Sequence, residues 1–122
     1  DNAEAYSNMG VALKDKGELD AAIDSYKQAI KIKPDYAEAH RHLSTVKKYN
    51  FADEQITQMK FLYADQKLEN DRKCHLCFAL AKASEDLGDF QEAFDYLKEG
   101  NALRKKSLSY DIKKTIDSIA NL

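Results

Sequence analysis

The chain has 122 residues, of which 43 % are apolar and 33 % charged, with four glycines and one proline. Five such residues cannot punctuate a sandwich or barrel, which needs a turn signal about every 8–12 residues. The apolar content and a net charge of −2 are equally far from disorder. Nineteen basic against 21 acidic residues leave no strongly basic face for nucleic acid, and no run reaches the ~18 apolar residues of a membrane span. Two cysteines are too few for a disulfide framework and point to a reducing, cytoplasmic setting. Asp1 in place of an initiator methionine reads as an excision from a longer chain.

The first expected helix covers residues 2–16. Tyr6, Met9, Gly10 and Leu13 fall at i, i+3, i+4 and i+7, which is one helical face. Gly17 supplies the left-handed residue that commonly ends a helix. The second helix, 19–33, carries Ala22, Ile23, Tyr26, Ala29 and Ile30 on one face. Pro34 stops it, having no amide donor and clashing with the preceding turn. Gly10 and Ala22 are small where two helices must approach closely. "DNAEAY" at Asp1 then returns as "DYAEAH" at Asp35, 34 residues later.

A third helix, 35–47, starts in this register with Ala37, Ala39, His40, Leu43 and Ser44. The register then fails: it places Phe51 at the turn glycine and Lys60 at the aromatic of the following helix. Asn50 and Asp53 look like a fresh helix start, so a fourth helix is expected over 52–67 with Ile56, Met59, Leu62 and Tyr63 facing inward. A fifth, 71–87, carries Leu76, Cys77, Leu80, Ala81, Ser84 and Leu87. "LGDFQEAFDYL" restores the pattern, with Gly88 lying 71 residues after Gly17, and predicts a sixth helix over 90–106. Ile112, Ile116, Ile119 and Ala120 suggest a seventh over 110–121.

The 34-residue period and the residues Tyr6, Met9, Gly10, Leu13, Ala22, Tyr26, Ala29 and Pro34 resemble the tetratricopeptide repeat. The resemblance implies an all-α fold, a helical-hairpin solenoid wound as a right-handed superhelix. One domain, 1–122, would hold repeat 1 (3–34), a degenerate repeat 2 (37–69), repeat 3 (71–106) and a C-terminal capping or linker helix (110–121). It also implies a concave groove lined by the first helix of each pair, which takes an extended peptide or protein segment. The matching groove positions are Ser7, Asn8, Val11 and Lys14, then Arg41, His42, Thr45 and Lys48, then Phe78, Lys82 and Glu85. Ser7 and Val11 stand where the carboxylate-clamping version of the repeat has lysine and asparagine, which sets that version aside. Asn8 matches the asparagine with which repeat arrays of O-linked sugar transferases hold peptide backbone, but His42 replaces it in the next repeat.

Residues 71–110 carry Phe78-Ala79-Leu80, Lys82-Ala83, Glu85-Asp86-Leu87-Gly88-Asp89, Ala93-Phe94, Gly100-Asn101, Arg104 and Tyr110 followed by Asp111. They resemble the segment joining a repeat array to a sulfotransferase domain in bacterial two-part proteins. That resemblance implies a substrate-recruiting role beside a catalytic domain outside this chain, since no phosphate-binding glycine loop occurs here.

Other groups weigh less. Cys74 and Cys77 flank His75, with His40 and His42 elsewhere, but Cys77 sits on an apolar stripe and no second tight pair exists. A buried free cysteine acts as a small hydrophobe, so neither a metal nor any other cofactor is expected. Residues 85–95 hold five acids and no base, and residues 104–114 hold five bases against Asp111; this suits the helix dipole. No nucleophile–base constellation is present, so the chain reads as a non-catalytic binding module. Apolar array ends, on the Tyr6 and Ile112 sides, offer surfaces for a homodimer.

Overall fold

Among the residues described, 1–121, six helices and no strand occur in the computed structural model. Leu122, the last residue of the expected domain, lies outside the described residues. The helices are α1 (Asn2–Asp15), α2 (Leu19–Ile32), α3 (Ala37–Ser44), α4 (Glu54–Tyr63), α5 (Asn70–Asp86) and α6 (Phe90–Ala120).

Local chemistry sets most of these boundaries. The Asp1 carboxylate accepts the Glu4 amide at 2.8 Å and caps α1. Asp89 does the same for α6 through the Glu92 amide at 3.0 Å. α1 ends on Gly17 at φ +80°, where the Glu18 amide bonds Leu13 O and the Gly17 amide bonds Lys14 O, both at 2.9 Å. α5 ends the same way on Gly88 at φ +82°. Both ends are Schellman motifs, which satisfy the last carbonyls of a helix.

Three boundaries differ from the sequence expectation. α3 stops at Ser44 rather than near residue 47. The Ser44 hydroxyl donates to Arg41 O at 2.5 Å and the Thr45 hydroxyl to His42 O at 2.7 Å; such bonds compete with helix propagation. α4 is ten residues long, shorter than 52–67. Asp53 delays its start by capping through the Gln55 amide at 3.0 Å. The Asp65 carboxylate closes a turn on the Lys67 amide at 3.0 Å just past its end. The expected sixth and seventh helices are one continuous helix, α6, of 31 residues. Residues 107–109 contain neither glycine nor proline, so nothing interrupts the backbone ladder there.

The helices pair as α1 with α2 and α5 with α6. α3 packs beside α1 and α5, α2 packs on α3, and α4 packs on α5. The result is a helical-hairpin solenoid with α1, α3 and α5 in one layer and α2, α4 and α6 in the other. One core cluster joins Ala22, Tyr26, Ala29 and Ile30 to Ala39 and Leu43. A second joins Tyr49 and Met59 to Leu76, Ala79, Leu80 and Ala83. A Cβ on Gly10 would lie 2.5 Å from the Tyr26 ring, so glycine permits the close α1–α2 approach.

The irregular second repeat is held by side chains instead of a glycine turn. Residues 45–53 form an irregular connection. Lys47 pairs with Asp53 at 2.6 Å, and Lys82 donates to Lys47 O at 2.7 Å while pairing with Asp86. Asp86 also accepts the Tyr49 amide at 3.1 Å. Below it runs a buried chain: Tyr49 Oη donates to Gln55 Oε1 at 2.8 Å, Gln55 Nε2 donates to His40 Nδ1 at 3.1 Å, and His40 Nε2 donates to Pro34 O at 2.9 Å. Burial of the His40 ring pushes its pKa down, so the imidazole is neutral, with its proton on Nε2.

Candidate peptide-binding face

The exposed side of the α1–α3–α5 layer is the candidate site. Helical register brings positions 34 residues apart in α1 and α3 into line, and α5 continues the rows. Arg41, in mid-α3, faces Phe78 and His75 on α5. Its guanidinium carbon lies 4.5 Å from the Phe78 ring centroid, a cation–π contact. Its Nη1 donates to His75 Nδ1 at 3.1 Å. Arginine has no acceptor, so His75 Nδ1 is unprotonated and its proton sits on Nε2, 3.8 Å from Glu38 Oε1. Burial pushes the His75 pKa down and the Arg41 charge pushes it further. His42 stacks on Tyr26 with ring centroids 5.6 Å apart and 12° between planes; burial pushes its pKa down as well. Both imidazoles are therefore neutral near pH 7. Beside this cluster, Lys33, Asp35, Tyr36, Glu38, Asp71, Arg72 and His75 line a cavity of about 130 Å³.

The residues expected in the groove separate into three groups. Arg41, His42 and Phe78 are half-buried and gathered by the contacts just given. Asn8 and Lys14 on α1 and Glu85 on α5 are exposed; Thr45, the exposed C-cap of α3, accepts from Lys14 Nζ at 3.1 Å, and Lys48, expected on the helix, lies instead on the irregular connection that follows it. The remaining three are not free to meet a ligand. Ser7 is only 3 % exposed. Val11 packs against the N-terminal core cluster. Lys82 spends its ammonium on Lys47 O and the Asp86 carboxylate. These three are corrected to structural roles: a small buried side chain, a core contact and a staple for the irregular connection. Glu38 and His75 belong to this cluster, and the sequence reading omitted them. They share the helical position of Glu4, 34 and 71 residues on, so the same register would have included them.

The two cysteines are packed inside the helix layers. Both are buried and free, and Cys74 Sγ donates to Gly100 O at 3.4 Å. Burial pushes the Cys77 thiol up to about 12 and raises that of Cys74, which favours the protonated thiol at neutral pH. Among the described residues no group of three or more His, Cys, Asp or Glu is placed to hold a metal ion, and no helix is long and apolar enough to cross a membrane.

Two family models match the chain. One described as TPR repeat covers residues 12–44, and one described as tetratricopeptide repeat covers residues 75–107. The chain is also 33 % identical over 70 residues to a protein O-mannosyl-transferase of Drosophila melanogaster. That match takes in 54 % of this chain and 8 % of the relative's length. The chain thus carries tetratricopeptide repeats and corresponds to a small part of that larger relative.

Proposed function

We propose that this tetratricopeptide-repeat chain is a protein-interaction module that grips an extended peptide or protein segment along the α1–α3–α5 face, and is itself non-catalytic. The observation that carries this reading is Arg41, held against Phe78 and bonded to His75 while remaining partly open to solvent. A guanidinium already fixed in one orientation loses little entropy on binding, and arginine is over-represented among residues that dominate interface energy. Asn8 and Lys14 on α1 and Thr45 at the end of α3 extend the polar surface beside it. The test is calorimetric titration of peptides selected from a random library, against the native chain and the Arg41→Ala/His42→Ala variant. Binding should fall at least about tenfold in the variant; native affinity would remove this cluster from the site.

The same module in a larger group-transfer enzyme is the second reading, favoured by the partial match to a protein named as an O-mannosyl-transferase. That name supports glycosyl transfer over the sulfotransferase junction suggested by residues 71–110. In either setting the repeats would present an acceptor protein to a catalytic domain encoded elsewhere in the parent frame. Reading that frame decides it: an open frame with no transferase domain would end the idea. A reducing, cytoplasmic environment belongs to the same proposal, in keeping with two buried, unpaired thiols.

A further inference from the structure

Four side chains of the candidate face form a square. Glu38 and Arg41 lie one turn apart on α3, and His75 and Phe78 lie one turn apart on α5. Arg41 is held by two contacts: the Phe78 ring against its guanidinium, and the lone pair of His75 Nδ1, which accepts from its Nη1. Among the described residues no carboxylate forms an ion pair with Arg41. Glu38 lies by His75 instead, with Oε1 3.8 Å from Nε2. The imidazole thus has a guanidinium donor against one nitrogen and a carboxylate beside the other.

We infer that His75 is a proton switch for this face: a proton gained at Nδ1 breaks the bond with Arg41 and releases the guanidinium from Phe78. The inference rests on the proposed function, to whose site it adds a regulation. The new proton occupies the lone pair that Arg41 uses, and arginine has no acceptor to offer it. Two donors and two like charges then face each other where one hydrogen bond of 3.1 Å stood. What else holds each partner decides which one leaves. The imidazolium gains the Glu38 carboxylate as a counter-ion at Nε2, a charge-assisted bond, and Asp71, one turn earlier on α5, adds a second negative charge. Arg41 keeps only the ring face, on a long side chain partly open to solvent. The other groups around the imidazole are already engaged. Arg72 pairs with Asp35 at 3.8 Å, Lys33 lies 5.1 Å from the Tyr36 ring centroid, and His42 on α3 is stacked on Tyr26. Burial and the Arg41 charge, with a smaller effect of His42, hold the His75 pKa down, while Glu38 and Asp71 pull it up. The switch therefore acts in mild acid, below the ordinary imidazole value.

NMR titration of the native chain from about pH 8 to about pH 5 tests this. The Arg41 side-chain and Phe78 ring signals should shift with the His75 midpoint, and the nuclear Overhauser contacts between them should fade through it while helical circular dichroism holds. His75→Asn places an amide oxygen near the position of Nδ1 and cannot titrate, so in that chain the Arg41–Phe78 contacts should persist across the range. Glu38→Gln should lower the His75, Arg41 and Phe78 midpoints together. Arg41–Phe78 contacts that outlast His75 protonation overturn the inference. Their loss in the His75→Asn chain overturns it too, since His42 would then be the group responsible, as does a loss of helix at the same midpoint. A peptide selected on the native chain at neutral pH should bind up to about tenfold more weakly once His75 is protonated, with no such loss in His75→Asn; equal affinity on both sides of the midpoint overturns the regulation. The titration itself uses no peptide, so a library that yields no binder would end the proposed function without altering what the Arg41 and Phe78 signals report.

Discussion

Replacing Tyr49 by phenylalanine tests how the irregular second repeat is held. The ring is 3 % exposed and its hydroxyl donates to Gln55 Oε1 at 2.8 Å. Phenylalanine keeps the ring, and with it the Lys47 ammonium 4.7 Å from its centroid. What is lost is one hydrogen bond, and Gln55 Oε1 is left buried without its donor. Stranding a buried acceptor costs about 1–3 kcal/mol. Gln55 itself is 8 % exposed, so water does not readily replace the lost donor and a loss of at least about 1–2 kcal/mol is expected. For a domain of this length that is a fall of about 3–8 °C in Tm. The assay is urea and thermal unfolding followed by circular dichroism, with Gln55→Leu and the double variant completing a cycle. The two singles should couple by about 1 kcal/mol, since the double variant removes donor and acceptor together. A Tyr49→Phe chain within about 0.3 kcal/mol of native, or additive singles, would refute the claim that this buried chain replaces the missing turn glycine.

Four further outcomes follow from the geometry. Gly10→Ala should destabilise by about 1–2 kcal/mol in urea unfolding, because overpacking against a fully buried ring outweighs alanine's better helix propensity. Gly88→Ala, by contrast, meets no steric neighbour and should cost about 1 kcal/mol purely through its left-handed backbone. In NMR titration His75 should ionise below the ordinary imidazole value, and Arg41→Ala should move it upward by removing both burial and a neighbouring positive charge. His40, His42 and His75 all have folded-state pKa values depressed from 6.5, so the unfolded chain binds more protons in mild acid. Their contribution to stability is complete above about pH 6.5 and is lost as pH falls through the folded values; unfolding midpoints at pH 7.5 and 5.0 should differ in that direction.

The sequence was most legible where one residue type has one local job. Gly17 and Gly88 adopt positive φ because only a residue without Cβ does so cheaply, and Gly10 is small because Tyr26 lies against it. Gly17 and Gly88 could be read from their 71-residue spacing, and Gly10 from its place on the Tyr6–Leu13 face. The second repeat was hard to read because its shape depends on partners far along the chain. Tyr49 reaches Asp86, 37 residues on, and Lys82 reaches back to Lys47. No window of sequence contains both ends of such a bond. The continuous α6 was hidden for the opposite reason: nothing marks residues 107–109, and an unmarked stretch extends a helix as readily as it separates two.

The same division explains where the structure places the expected groove residues. Register alone puts Arg41, His42 and Phe78 on one face, and there they meet. Register also put Lys82 on that face, but the irregular connection beside it needs a cation to bind Lys47 O and Asp86. Ser7 lies near Tyr36, where α1 meets the start of α3, and is buried there. A repeat pattern assigns a side chain its direction; the neighbouring repeat decides whether that direction ends in solvent or in another helix. The face therefore keeps its partly exposed expected residues at the centre, on α3 and beside it on α5. It loses them at Ser7 on α1 and at Lys82 next to the degenerate turn.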